Sequence, residues 1–234
     1  MPLKIDLHVH TCYSDDCATT LEEVVLFSKK KGLDGVAVTD HDAIEGALRL
    51  LEGEDTDLIV IPGIEVSTDR GHILGINVKT RIPAGLSIEE TIRRIHEAGG
   101  IAVVAHPSAI LRNGVGLDEE IASHDLDAVE VINSADFPFF LLSYLNRRFA
   151  DRVSLPQTAG SDSHLPEAVG LAYTIVENAG PEMAVEEVVQ AIKEGMTVPF
   201  GMPEPWKLRI RRITEKRKEK RGLSSRAGKD RNRR

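Results

Sequence analysis

The sequence has little that would suit an extracellular, membrane-spanning or base-stacking protein. It has two cysteines, Cys12 and Cys17, which lie five positions apart and have no distant partner for a disulfide framework. No run of 18 or more uncharged apolar residues is present, and Lys4 and Asp6 come before a signal-peptide core could form. Aromatic residues make up 4% of the chain, too few for a typical single-strand stacking platform. We therefore expect a cytoplasmic protein without a membrane segment.

Basic residues are scarce in most of the chain and concentrated at its end. Residues 207–234 contain fourteen Lys and Arg against three acidic residues, a net charge of +11. The preceding 206 residues contain 15 basic and 34 acidic residues, a net charge of −19 with histidine neutral. We place a domain boundary near residue 203, so that residues 1–203 form one globular domain and residues 204–234 a basic tail. We expect this tail to be helical over 207–221 and disordered over 222–234.

Short runs rich in Val and Ile alternate with helical patterns along the first 200 residues. Seven runs are predicted to be buried strands, at residues 4–10, 35–40, 58–66, 72–78, 102–106, 128–133 and 158–162. Thr20 and Ser87 each begin a helical pattern with Glu three residues later, and Gly32 ends the first of these patterns. The run at 72–78 follows its predecessor too closely for a helical crossover, so we expect an antiparallel hairpin there. The alternation predicts a mostly parallel α/β sheet, open or closed into a barrel.

Six of the eight histidines lie at the ends of these predicted strands. His8 and His10 are two residues apart on an extended segment, so their side chains point to the same face. The carboxyl ends of strands are where α/β folds bind ligands, and two imidazoles buried together need partners or a ligand. The accompanying acidic residues lie at other strand ends: Asp40, Asp42, Glu65 and Asp162. Imidazole and carboxylate without thiolate are ligands typical of zinc, manganese or iron, so the pattern predicts a metal site.

Five motifs along the chain resemble, in order and spacing, those of the PHP family, named for polymerase and histidinol phosphatase domains. They are DLHVHT at 6–11, TDHD at 39–42, the strand with Glu65, HP at His106, and GSDSH at 160–164. The resemblance covers residues 3 to about 200 and implies a distorted (β/α)7 barrel with a trinuclear metal centre at the carboxyl ends of the strands. It also implies phosphoesterase activity, since two cations bridged by a carboxylate can activate a shared water as a bridging hydroxide and stabilise phosphoryl charge.

The resemblance also implies a set of metal ligands, two or three divalent ions of manganese, zinc or iron being expected. The first ion would be held by His8, His10, Glu65 and Asp162, the second by Glu65, His72 and His106, and the third by Asp15, His41 and His164. Glu65 would bridge the first two ions, and either His164 or a metal-bound water would protonate the leaving group. The choice between Asp15 and the neighbouring Asp16 stays open, and Arg70, Arg112 and Asn133 are candidates for holding the substrate phosphate.

The run Ser14-Asp15-Asp16 resembles the branch of the family that includes nucleoside 3′,5′-bisphosphate phosphatases and 5′-3′ oligoribonucleases. Members of that branch carry an insertion between the positions of His72 and His106, which here are only 34 residues apart. We therefore expect a small phosphomonoester or nucleotide as substrate. One alternative is a nucleic-acid-associated binding or accessory module that contacts phosphates without sequence specificity through residues 207–234. The other is a histidinol-phosphatase-like activity.

Overall fold

A nine-stranded sheet forms the centre of the fold in a computed structural model, which describes residues 2–53, 57–177, 180 and 183–215. The strands are β1 (Leu3–Val9), β2 (Gly35–Val38), β3 (Ile59–Ser67), β4 (His72–Ile76), β5 (Ile101–Val104), β6 (Ala128–Asn133), β7 (Gln157–Gly160), β8 (Ala172–Val176) and β9 (Thr197–Gly201). The helices are α1 (Leu21–Lys31), α2 (Glu45–Glu52), α3 (Ile88–Glu97), α4 (Glu119–Ala122), α5 (Phe139–Val153) and α6 (Val185–Lys193). Residues 206–215 are also helical and are called the C-terminal helix below.

The sheet curls into a nearly closed barrel. Its strand order is β7-β6-β5-β4-β3-β2-β1-β8-β9, and β1, β2 and β3 pair in parallel, as do β5, β6 and β7. The segment after β7 returns to the end of β1, where the His10 amide donates to the Ser163 carbonyl at 3.1 Å. The Asp162 amide likewise donates to the His8 carbonyl at 2.8 Å. The predicted α/β barrel is therefore confirmed.

Antiparallel strands interrupt the parallel sheet at two places. The hairpin expected between β3 and β4 is present, and β4 also pairs antiparallel with β5. Strands β8 and β9, which the sequence analysis did not predict, form a second antiparallel pair, and β8 lies along β1. No residue of β9 is fully buried and Pro199 lies within it, as is typical of a strand at a sheet edge. Such a strand lacks the continuous apolar run by which the other strands were recognised.

Local signals set the ends of the first helix. The Thr20 side chain accepts from the Glu23 amide at 3.2 Å, and the Glu23 carboxylate accepts from the Thr20 amide at 2.9 Å. This reciprocal capping box satisfies two amides that the first helical turn leaves without partners. Gly32 ends α1 in the left-handed conformation, with φ of 66°, which glycine adopts without steric cost.

Apolar side chains fill the space on both sides of the sheet strands. Val36 and Ile64 pack in one cluster with Val24 of α1, while Ile5 packs in another with Ile192 of α6. Burial of this kind contributes about 25 cal/mol per Å² of apolar surface and is the main source of stability for such a barrel. Polar side chains are in contrast buried mainly where the parallel strands end, which is where the candidate site lies.

The C-terminal helix packs against the barrel. The Glu204 amide donates to the Ser134 carbonyl at 2.8 Å, and Glu204 is only 6% exposed. The helix begins at residue 206, one residue before the predicted helical span of 207–221, and residues 216–234 of the predicted tail lie outside the described residues. The domain boundary near residue 203 stays a prediction. Among the described helices, none is both long and apolar enough to cross a lipid bilayer.

Candidate metal centre

One polar cavity of about 200 Å³ opens at the carboxyl ends of the parallel strands. His72 joins it from the first residue of β4, because this antiparallel strand begins at the end of the barrel where its neighbours finish. His8 and His10 are fully buried behind the lining, where His8 lies 3.3 Å from Glu65 and His10 lies 3.3 Å from Asp162. The lining residues are Asp16, His41, Glu65, His72, His106, Leu111, Arg112, Asn113, Asp162, His164 and Arg212. All six histidines predicted at strand ends are thus brought together.

Glu65 lies at the centre of this cluster. Its Oε1 is 2.8 Å from His72 Nδ1 and 3.2 Å from His106 Nε2. Its Oε2 lies 3.0–3.3 Å from ring nitrogens of three other histidines: His8, His10 and His41. Each carboxylate oxygen therefore faces a different set of imidazoles, which is the arrangement that a carboxylate bridging two cations requires.

Asp16, rather than Asp15, reaches the third group of potential ligands. Its Oδ2 lies 3.2 Å from His164 Nε2 and 3.9 Å from His41 Nε2. Asp15 is exposed and does not line the cavity, so of the two aspartates left open by the sequence the structure places Asp16 beside these histidines. Both residues belong to a tight loop in which the Cys17 amide donates to the Ser14 carbonyl. Neighbouring side chains in such a turn point in different directions, and sequence order alone does not decide which one faces the site.

Asp40 holds this loop and, through it, orients His10. Its carboxylate accepts from the Thr11 amide at 2.6 Å, the Thr11 hydroxyl at 2.7 Å and the Ser14 hydroxyl at 2.9 Å. Ser14 Oγ in turn accepts from the His41 amide at 2.9 Å and lies 3.1 Å from His10 Nδ1. With Nδ1 engaged, His10 turns its Nε2 towards the central carboxylates, as metal-binding histidines do.

Glu130 is a site residue that the sequence analysis missed. One of its oxygens lies 2.9 Å from His8 Nδ1, and the other accepts from the His106 amide and the Asn133 side chain, both at 2.9 Å. Gly160 permits this packing, since a Cβ there would lie 2.3 Å from the His8 Cβ. Glu130 is the lone charged residue of the fully buried strand AVEVIN. An isolated carboxylate in an apolar strand is costly without partners, and this was the signal that could have revealed it.

Of the three candidate phosphate contacts, Arg112 lines the cavity, and Asn133 is fully buried beside the lining residue Asp162. Arg112 donates to Asp162 Oδ2 at 2.5 Å, and Asn133 donates to the same oxygen at 3.1 Å. Arg70 is outside the lining, with its guanidinium 3.9 Å from Asp118. Arg212 of the C-terminal helix is a lining residue that had no signal in the sequence, because only tertiary packing brings this helix to the barrel.

Two residues of the cluster have an unusual backbone conformation. His106 has a φ of 30° and Asp162 a φ of 51°, in the left-handed region that non-glycine residues rarely adopt. Such conformations cost roughly 1–3 kcal/mol each and persist when surrounding contacts enforce them. The His106 amide donates to Glu130 and the Asp162 amide to the His8 carbonyl, so both backbones are held by the site itself.

The charges of the cluster act strongly on one another. Burial raises the pKa of Glu65 and Asp162, but nearby positive charges outweigh this effect. For Glu65 the charges are those of His41 and His8, and for Asp162 those of Arg112 and His8. Both pKa values are therefore well below their usual range. Burial lowers the pKa of His10, but Asp162 and Glu65 outweigh it and raise that pKa to about 9. The carboxylates are thus ionised and create a negative potential that favours cations.

The pKa of His164 is shifted in the opposite direction from that of His10. Burial and the charge of His10 lower the pKa of His164, and the nearby carboxylates of Asp16 and Asp162 only partly oppose this shift. A neutral imidazole is the form that binds a metal. His164 is therefore suited to the role of ligand at neutral pH.

The donor set fits divalent cations. Three groups of donor atoms each lie within 4.8 Å of one another: His10, His41 and His164; His8, His10 and Asp162; and His41, Glu65 and His72. Glu65 Oε2 is buried and, although three ring nitrogens lie within 3.3 Å of it, it accepts no hydrogen bond of suitable geometry from the described residues. A bound cation would give this oxygen a direct partner. Neither cysteine lines the cavity, so the set consists of nitrogen and oxygen donors, which suit zinc, manganese and iron.

Comparison with known proteins places this site in a family. A protein-family model described as PHP-associated matches residues 144–197. The uncharacterized protein MJ1587 of Methanocaldococcus jannaschii is 37% identical over 143 residues, which are 56% of this chain and 82% of that protein. The chain belongs to the PHP family. The membership expected from the five motifs is therefore confirmed.

Other relatives of this PHP protein match it over shorter stretches. The phosphoribosyl 1,2-cyclic phosphate 1,2-diphosphodiesterase of Eggerthella lenta is 37% identical over 99 residues, 39% of this chain and 37% of that protein. The 5′-3′ exoribonuclease Rnm of Escherichia coli is 35% identical over 106 residues, 42% of this chain and 36% of that protein.

A solved structure shares the PHP fold. It is a two-domain protein of Bacteroides vulgatus containing a predicted PHP-like metal-dependent phosphoesterase, with a TM-score of 0.67 and 17% identity. The match covers 92% of this chain and 70% of that chain. At this identity the likeness shows the barrel fold, and the activity of this chain has to be argued from its own site.

Proposed function

We propose that this PHP protein is a metal-dependent hydrolase of phosphoric ester bonds. The observation that carries the proposal is the position of Glu65, whose two oxygens face separate sets of imidazoles in one cavity at the ends of the parallel strands. Relatives named as a diphosphodiesterase and an exoribonuclease support the same reaction class.

The geometry supports a ligand set close to that implied by the family motifs. We assign the first ion to His8, His10, Glu65 and Asp162, the second to Glu65, His72 and His106, and the third to Asp16, His41 and His164. The first two groups share Glu65, and the third takes Asp16 because its carboxylate lies beside His164 and His41.

The residues of the chain have separate roles in this scheme. When bound, divalent ions would supply the Lewis acidity that polarises a phosphoryl group and an attacking water. Glu130 and Ser14 hold the rings of His8 and His10 in place through their Nδ1 atoms. Arg112 holds Asp162 and has further N–H groups that can bind phosphoryl oxygens. The lowered pKa of His164 favours the ligand role over that of proton donor.

A small phosphomonoester or nucleotide is the substrate class that we propose. The cavity of about 200 Å³ is lined mostly by charged and polar groups, which suits a phosphate and a compact leaving group. The chain between His72 and His106 consists of the rest of β4, a connecting segment, α3 and β5, with no added domain to extend the cavity. The relative named for a phosphoribosyl cyclic phosphate also acts on a small phosphorylated compound.

The test combines metal analysis with turnover. We expect the purified protein to contain two to three divalent ions per chain and to hydrolyse p-nitrophenyl phosphate with added manganese, losing this activity on chelation. Glu65→Gln should lower the metal content and abolish turnover with little change in circular dichroism. Glu89→Gln, on the exposed surface of α3, is the matched control and should behave as wild type. Full activity and metal content in Glu65→Gln would falsify the bridging role.

Contact with nucleic acid is a second candidate function, favoured by the charge of the carboxyl-terminal end. Residues 207–234 have a net charge of +11, against −19 for the rest of the chain. Clustered Lys and Arg bind the phosphate backbone without sequence specificity and in a salt-dependent way. In this view the basic segment would hold a nucleic acid near the barrel.

A further inference from the structure

Arg212 belongs to the C-terminal helix but lines the candidate metal cavity together with Arg112. Its side chain is 15% exposed, and its Nη2 donates to the buried carboxylate of Glu204 at 2.9 Å. Its Nε is buried and has no hydrogen-bond partner among the residues that the structure describes. A guanidinium has five N–H donors, so this side chain has donors free to bind a ligand in a cavity lined mainly by imidazoles and carboxylates.

The helix that carries Arg212 is anchored by other residues. Arg209 donates to the carbonyls of Ala135 and Asp136, both at 3.1 Å. Its guanidinium lies 5.4 Å from the ring centre of Phe137 and 5.9 Å from that of Trp206, and these two rings lie 5.3 Å apart. Because these contacts fix the helix one turn before Arg212, the position of Arg212 at the cavity does not depend on its own side chain.

A buried donor without an acceptor is costly, and natural proteins rarely leave one without a role. The planar guanidinium fork matches the oxygens of a phosphate and is the preferred side chain for binding it. We propose that Arg212 binds the phosphate group of the substrate together with Arg112, so that the C-terminal helix completes the active site. This inference rests on the proposed function and adds a residue from outside the motif-bearing part of the barrel.

The neighbouring residue provides a matched control. Arg211 points away from the cavity, pairing with Glu167 at 2.6 Å and with Glu215 at 2.8 Å on the exposed surface. It has the same charge and lies on the same helix, but it is not a lining residue. Trp206 is the single tryptophan of the chain and contacts Phe137, so its fluorescence reports whether the helix stays docked.

The experiment compares Arg212→Gln, Arg212→Lys and Arg211→Gln with wild type, all loaded with manganese. Isothermal titration measures binding of inorganic phosphate, and Trp206 emission and the melting temperature report docking and stability. We expect Arg212→Gln to weaken phosphate binding about 10- to 100-fold, the loss of one charge-assisted contact. The KM for p-nitrophenyl phosphate should rise with it. Arg211→Gln should bind phosphate as wild type does, and Trp206 emission should stay unchanged in every variant.

Wild-type phosphate affinity in Arg212→Gln would overturn the proposal. If Arg212→Gln binds phosphate more weakly but also shifts Trp206 emission, the result for Arg212→Lys decides, because lysine keeps the ion pair with Glu204 but lacks the planar fork. Weaker phosphate binding by Arg212→Lys with normal Trp206 emission supports the proposal, and wild-type affinity in Arg212→Lys rejects it. Wild-type protein that binds phosphate through Arg212 but hydrolyses no aryl phosphate would reject the proposed activity while leaving the phosphate site established.

Discussion

Glu130 Oε1 and His8 Nδ1 lie 2.9 Å apart, although 122 residues separate them in the chain. The other Glu130 oxygen accepts from the His106 amide, so one carboxylate orients ligands on two strands. A carboxylate in this position fixes the tautomer of a metal-binding imidazole and makes it a better donor. The candidate metal centre is thus held in place by a residue that is outside every family motif named above.

Replacing Glu130 with Gln keeps the size of the side chain but removes its charge. We expect the affinity for manganese or zinc to fall about 10- to 100-fold, as measured by titration with a competing chelator. The control is Glu89→Gln on the exposed surface of α3, which makes the same change of charge outside the cavity lining and should leave metal affinity unchanged. Unchanged metal affinity in Glu130→Gln would show that His8 is oriented without this contact.

Asp136 makes stability depend on pH. Burial raises its pKa from 3.8 to about 7, while the charges of His106 and Arg112 lower it in part. Since the folded state binds this proton more tightly than the unfolded chain, ionisation destabilises the fold. Its contribution to the free energy of unfolding therefore falls by at most roughly 4 kcal/mol as pH rises from about 4 to about 7, and it is constant above pH 7.

The variant Asp136→Asn should lack this decline. Urea unfolding of the chelated protein should show a difference in stability between the variant and wild type that grows from pH 4.5 to pH 7.5 in favour of the variant. Asp125→Asn, at a side chain that is 94% exposed, should show no such trend. A difference that stays constant over this pH range would contradict the buried, raised pKa.

Metal binding should release protons. The pKa of His10 is raised to about 9, and the pKa values of His8 and His106 are also raised because nearby carboxylates outweigh burial. At pH 7.5 the imidazole of His10 is therefore protonated in the metal-free protein, and those of His8 and His106 hold a proton more tightly than a free imidazole does. Metal ligation needs all three rings neutral. Titration calorimetry in buffers of different ionisation enthalpy should detect about one or more protons released per chain.

The same measurement on two histidine variants locates the protons. His10→Gln should release fewer protons than wild type. His124→Gln, in a separate pocket that His124 lines with His96, should release as many as wild type. Affinity for the metal should also increase with pH up to about 9, since fewer protons then compete. Metal uptake without proton release at pH 7.5 would show that the imidazoles are already neutral.

Truncation separates the basic segment from the active site. Removal of residues 216–234 takes away ten Lys and Arg and two acidic residues, a net charge of +8, but keeps the helix with Arg212. We expect binding to a short single-stranded RNA at low salt to weaken at least about tenfold, with unchanged hydrolysis of p-nitrophenyl phosphate. Equal RNA binding before and after truncation, measured by fluorescence anisotropy, would remove the support for nucleic-acid contact through this segment.

The sequence by itself determined the strands and the family because their signals are local. Continuous Val and Ile runs indicated the buried strands, and the two-residue spacing of His8 and His10 placed both on one face. The ends of parallel strands meet at one edge of a barrel, so histidines at strand ends were expected to converge. The cavity lined by His41, His106 and His164 follows from this rule.

Only the tertiary structure decided the details of the site, because they depend on directions and distances between segments far apart in the chain. The turn after β1 selects Asp16 over Asp15, and the packing of β6 against β1 brings Glu130 to His8. The anchoring of the C-terminal helix brings Arg212 to the cavity. None of these placements follows from a periodic pattern in the sequence. Each is set by the closure of the barrel and by the segments that pack against the end of the barrel where the cavity opens.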